Sequence, residues 1–101
     1  MQETESVTAL STTDTGVWWV TTQGGTIHVW NLDSMTLLRS RGGDSPTGAM
    51  RFDGDAVEIL DVGRWPVVGQ GFLVALQHPD DPLRVVFRES SDIVRIERAP
   101  Q

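Results

Sequence analysis

Residues 16–39 read GVWWVTTQGGTIHVWNLDSMTLLR, and this stretch decides the fold. Two runs rich in β-branched and aromatic residues, 17–22 and 26–30, are joined by Gln23-Gly24-Gly25, which is the sequence form of a β-hairpin. The paired glycines supply the positive φ that tight connections require. Strand alternation puts Trp18, Val20 and Thr22 on one face of the first run and Val17, Trp19 and Thr21 on the other. In the return run Ile27 and Val29 form one row, His28 and Trp30 the other. Both faces are partly apolar, so the second face of the hairpin is expected to be covered by residues 7–10, by the last strand or by another molecule. A third strand over about 35–41 completes a meander, because a lone hairpin is marginal in water.

Outward from this ribbon the chain continues as short strands divided by Gly and Pro turns. Residues 41–48, RGGDSPTG, read as a long loop, and Met50-Arg51-Phe52 as a short strand turning at Asp53-Gly54. Residues 56–62 follow, with Val57 and Ile59 on one face and Leu60 and Val62 on the other. Pro66 interrupts them, since it lacks a ladder donor. Residues 72–77 and 83–88 form a second hairpin around His78-Pro79-Asp80-Asp81-Pro82. In its second strand Leu83, Val85 and Phe87 are the expected core face, and Arg84, Val86 and Arg88 the solvated one. The last strand, 92–98, sets Val94 and Ile96 against Arg95 and Glu97. No window longer than a turn or two has apolar residues at helical spacing. The expected fold is therefore all-β: a small antiparallel barrel (SH3-like or a similar meander) or a two-layer sandwich of six to seven strands, with the barrel favoured because closure removes edges. The expected organisation is a flexible or loosely packed tail over 1–15, a single β domain over 16–98 and an exposed end over 99–101; the competing arrangement of the tail is a short edge strand or a partial helical turn built on Val7, Ala9 and Leu10 that covers one row of tryptophans.

At 101 residues the chain suits one domain. Fourteen acidic residues against eight basic ones, all arginine, give a net charge of -6, which opposes a general nucleic-acid or anionic-membrane role. With no cysteine, thiolate chemistry and disulfides are excluded. No apolar run approaches the roughly 20 residues of a membrane helix, and the polar, acidic opening lacks a signal segment, so the expected location is cytoplasmic.

The order Trp19-Val20-Thr21, Gly24-Gly25-Thr26, Asn31-Leu32-Asp33, then Thr36 and Arg39, resembles small uncharacterised all-β proteins of actinobacteria and their phages. The likeness continues loosely through Val68-Gly69 and residues 93–97. It implies an all-β cytoplasmic domain with a host or phage accessory role, and brings no catalytic residue, cofactor or substrate with it.

No catalytic residue, cofactor site or metal site is read from the sequence. His28 and His78 are the only histidines, and His78 with Asp80 and Asp81 reads as turn chemistry rather than an ion site. Asp53, Asp55 and Glu58 lack the calcium-loop pattern. Glu58 and Asp61, three apart on one strand, are expected on opposite faces, so they form no acid-base pair. No serine lies in a nucleophile elbow. The expected function is a small acidic protein-interaction or accessory domain without catalytic activity, its partner another protein or a second copy of itself. Tryptophan and arginine are frequent interface anchors, and the candidate interaction patch is Trp18, Trp30, Arg64 and Trp65, with Trp19 assigned to the core and Trp65 as the exposed ring. Two alternatives remain: a single-stranded nucleic-acid-binding barrel using Arg39, Arg41, Arg51 and Arg64 beside an exposed tryptophan, and a small-molecule barrel with a tryptophan-lined cavity.

Overall fold

A computed structural model describes residues 5–40 and 56–99. The expected loop at 41–48, the short strand Met50-Arg51-Phe52 and the turn at Asp53-Gly54 lie outside them. The described chain is all-β, with eight strands: β1 (Ser6–Val7), β2 (Val17–Thr22), β3 (Ile27–Asn31), β4 (Thr36–Ser40), β5 (Ala56–Arg64), β6 (Leu73–Gln77), β7 (Val85–Glu89) and β8 (Ile93–Arg98). They form one antiparallel sheet in the order β1-β8-β2-β3-β4-β5-β6-β7.

The organising hairpin forms as expected. Trp18 pairs with Trp30 and Val20 with His28, and these four side chains are buried. Gly25 closes the turn at a φ of 87°, with its N–H donating to the Thr22 carbonyl at 2.9 Å. After β3, the Asn31 side chain accepts from the N–H groups of Asp33 and Ser34, both at 3.1 Å, which makes residues 32–35 a turn. β4 then completes the three-strand ribbon.

The sheet rolls over itself. β7 and β8 are six positions apart in strand order, about 29 Å in a flat sheet, yet residues 90–92 join them and span at most about 14 Å. The roll brings Phe72, at the entry to β6, edge-on to His28 at 4.8 Å and to Trp30 at 5.1 Å on β3. Two irregularities in β5, between Ile59 and Asp61 and between Val62 and Arg64, provide the bend. The first turns Leu60 and Asp61 outward together, so Asp61 is exposed like Glu58 although strict alternation separates them. The core is filled by Trp18, Val20, Trp30, Leu37, Ile59, Phe72, Val74, Leu76 and Ile96.

Closure stops short of a barrel, because β1 and β7 remain edges of the ladder among the described residues. A non-strand segment fastens one side instead. Leu10 N–H donates to the Pro66 carbonyl at 3.0 Å and Val68 N–H to the Thr8 carbonyl at 2.9 Å, while Gly69 N–H reaches Ile93 at 2.9 Å. Residues 5–15 are therefore part of the fold: β1 pairs with β8, Ala9 bridges to Val67, and Leu10 is buried in the core. The edge-strand arrangement of Val7 and Ala9 replaces the loose tail for these residues, because burying Leu10 and satisfying its backbone stabilises the ordered state.

Three strand faces differ from strict alternation. In β8, Ile93 and Ile96 are buried and Val94 is exposed, because the register with β2 shifts between Thr21 and Thr22 and leaves Val94 as the extra residue. In β5 the outward turn at Leu60 returns Val62 to the core side. In β7 the expected faces are exchanged. Register pairs Gln77 with Val85, Ala75 with Phe87 and Leu73 with Glu89, so Val85 and Phe87 lie outward while Val86 and Arg88 turn in.

Candidate functional site

The proposed patch of Trp18, Trp30, Arg64 and Trp65 does not assemble on the surface. Trp18 and Trp30 are cross-strand partners on the inner face and are fully buried. The Trp18 indole N–H donates to the Thr15 carbonyl at 2.9 Å, and the Arg98 guanidinium lies 4.4 Å over its ring. Trp65 is half-buried, tilted against Trp30 at 5.9 Å between ring centres, and is not the exposed ring expected of it. Trp19, assigned to the core by sequence, lies on the outer face, half-buried and paired with Val29 and Glu97. Arg64 alone of the four faces outward: its Nε donates to the Gly71 carbonyl at 2.6 Å and its Nη2 to Glu89 Oε2 at 2.7 Å. The second face of the first hairpin is half-buried among its own cross-strand neighbours.

The arginine platform expected for single-stranded nucleic acid is not formed among the described residues. Arg39 is buried on the inner face and Arg64 is held by Glu89; Arg41 and Arg51 lie outside the described residues. In the His78 turn, the Asp80 N–H donates to His78 Nδ1 at 3.1 Å, as a turn requires. Among the described residues no three His, Asp or Glu side chains converge to hold a metal.

Two features of the surface and interior were hidden from sequence reasoning. The first is a polar end to the core, where Thr22, Thr26, His28, Arg39 and Arg88 turn inward around a half-open cavity of about 90 Å³ whose rim is Glu89, Ser90 and Ser91. A drug-sized ligand needs roughly 300 Å³ or more, and the lining is polar rather than the tryptophan cage a small-molecule barrel would offer. Thr26, His28, Arg39 and Arg88 are each engaged in further contacts, as buried polar and charged groups must be.

The second feature is β7. Leu83, Phe87 and Val85 are 93%, 74% and 49% exposed, and Leu60 and Ala75 continue their apolar surface across β5 and β6. The backbone of β7 is open on the same side. His78 N–H donates to the Arg84 carbonyl and Ser90 N–H to the Phe72 carbonyl. Antiparallel parity then turns the N–H and C=O of residues 84, 86, 88 and 90 toward β6, and those of Val85, Phe87 and Glu89 away from it. No described strand lies on that far side. The other edge, β1, is two residues long and thereby blunted.

No protein-family model matches the chain, and no curated protein and no solved structure is significantly similar to it. Among the described residues, no helix is long and apolar enough to cross a membrane.

Proposed function

We propose that this protein is a small acidic interaction domain without catalytic activity, and that it binds a partner protein through the outer face and free edge of β7. The observation that carries this reading is the coincidence of three exposed apolar side chains, Leu83, Val85 and Phe87, with a five-residue edge that no strand among the described residues pairs. Natural sheets blunt such edges with charge, proline, bulges or a covering element, because an open apolar edge recruits other chains. Here Val85 and Phe87 sit on the edge strand itself, and Leu83 lies in the turn that leads into it. Scattered exposed leucines are ordinary, whereas Val85 and Phe87 side by side on an edge strand, with Ala75 paired to Phe87 behind them, are a surface that a second molecule would dry.

The test is a comparative capture from a lysate of the cells that make the protein, using the native chain, the double variant Val85→Ser/Phe87→Ser and the control Val94→Ser. Val94 is an exposed apolar residue on β8, an interior strand of the sheet. A protein retained by the native chain and by Val94→Ser, and lost with the double variant, is the expected result. Identical sets on all three would contradict the assignment of β7.

A further inference from the structure

We propose that residues 5–10 are a releasable latch: they close the roll by tying β8 to residues 66–68, and they open as a unit while the sheet beneath stays folded. The latch lies at the opposite edge of the sheet from β7 and holds whether or not β7 binds a partner.

The closure runs through backbone bonds on two sides. Toward β8, Ser6 pairs with Glu97 and Val7 with Ile96, and the Arg98 N–H donates to the Glu5 carbonyl at 2.8 Å. Toward the connector between β5 and β6, Ala9 bridges to Val67, the Leu10 N–H donates to the Pro66 carbonyl and the Val68 N–H to the Thr8 carbonyl. Little holds the segment besides these bonds. Only Leu10 among its side chains is buried; Val7 is half-buried, and Glu5, Ser6, Thr8 and Ala9 are exposed. The Glu5 carboxylate accepts from Arg98 Nε at 2.9 Å, but with side chains 55% and 33% exposed that ion pair is screened by water. A unit with one buried anchor and solvent-exposed hydrogen bonds opens well below the free energy of global unfolding.

The parts on either side keep their own support. β8 is paired with β2 from Trp18 to Thr22, and the Ala99 N–H donates to the Val17 carbonyl at 2.9 Å. The connector is held to the start of β8 by the Gly69 N–H, which donates to the Ile93 carbonyl at 2.9 Å, and by the Ile93 N–H, which donates to the Gln70 carbonyl at 3.0 Å. A hinge is present as well. The Ser11 N–H donates to Asp14 Oδ2 at 2.8 Å and the Asp14 N–H to the Ser11 carbonyl at 3.1 Å, so the turn over 11–14 is bonded within itself and survives when residues 5–10 swing away. Release clears the place of Leu10 in the core and one side of β8, and Leu10 is the pin that resists it.

Native-state amide exchange on the full chain, followed by NMR at low urea concentrations, tests the latch. The reporters are the N–H groups of Leu10, Val68 and Arg98, which lie on three separate segments and are each bonded across the latch. Gly69, next to Val68 but bonded to Ile93, is the local control, and Val20 reports the core. One opening constant is expected for all three reporters, at least about tenfold larger than for Gly69 and Val20 and less sensitive to urea, because little surface is uncovered. Leu10→Ala should raise that constant at least about tenfold further at all three positions together; should that variant fail to fold, the native comparison decides alone. Equal protection and equal urea dependence of reporters and controls would overturn the proposal, since residues 5–10 would then open only with the whole domain. Different constants at the three reporters, or Gly69 opening together with Val68, would overturn it too, as separate fraying rather than release of one unit. A Leu10→Ala effect confined to the amide of residue 10 would overturn it in the same way.

Discussion

At the scale of single residues, Trp30 and Gly71 do most to fix the interior. Trp30 is fully buried, with Phe72 edge-on and Trp65 tilted against it, so it joins β3 to the far side of the roll. Trp30→Ala is expected to cost about 3 to 5 kcal/mol, because truncation leaves a cavity that rigid neighbours cannot fill; urea denaturation followed by circular dichroism measures it. Gly71 matters through what it lacks. A Cβ there would run into the Ser90 carbonyl, which is backbone and cannot swing aside. Gly71→Ala should lose about 1 to 3 kcal/mol in the same experiment, whereas an alanine at an open strand position should cost little.

At the scale of elements, the first hairpin was legible and β7 was not, for physical reasons. In residues 17–30 a glycine turn marked the connection, and alternation grouped Trp18 with Val20 and His28 with Trp30 as the structure does, but it did not tell which face turns inward, and Trp19 on the other face was assigned to the core. The error there was to assign buried Trp18 and Trp30 to an interface. In residues 83–88 either row is plausible as core, since each contains apolar residues. Register decides, and it is set by the turn over residues 78–84 and by pairing with β6, neither of which alternation encodes. Burial of Arg88 was illegible for the same reason: its place depends on the polar end shared with Thr22, His28 and Arg39, residues far away in the chain. The N-terminal element gives a direct check. Leu10 lies in the core and its N–H is bonded to Pro66, so Leu10→Ala should lower stability by about 2 to 5 kcal/mol by thermal or urea unfolding. A change within experimental error would mean that the segment before β2 is not packed.

At the scale of the whole molecule, a rolled sheet whose described strands leave one blunted edge and one open edge concentrates its proposed binding surface in β7. The all-β class followed from short alternating runs and Gly-Pro punctuation, but the roll depends on irregularities in β5 and on the three-residue link into β8. Those features leave the ladder of the described strands open between β7 and β1, where a closed barrel would have consumed the edge. The most direct measurement of this claim is residue-resolved amide hydrogen exchange by NMR along β7. In the free protein the amides of Val86 and Arg88 should be protected by β6, while those of Val85, Phe87 and Glu89 exchange as open groups. Uniform protection of residues 85–89 in the free protein would contradict the account.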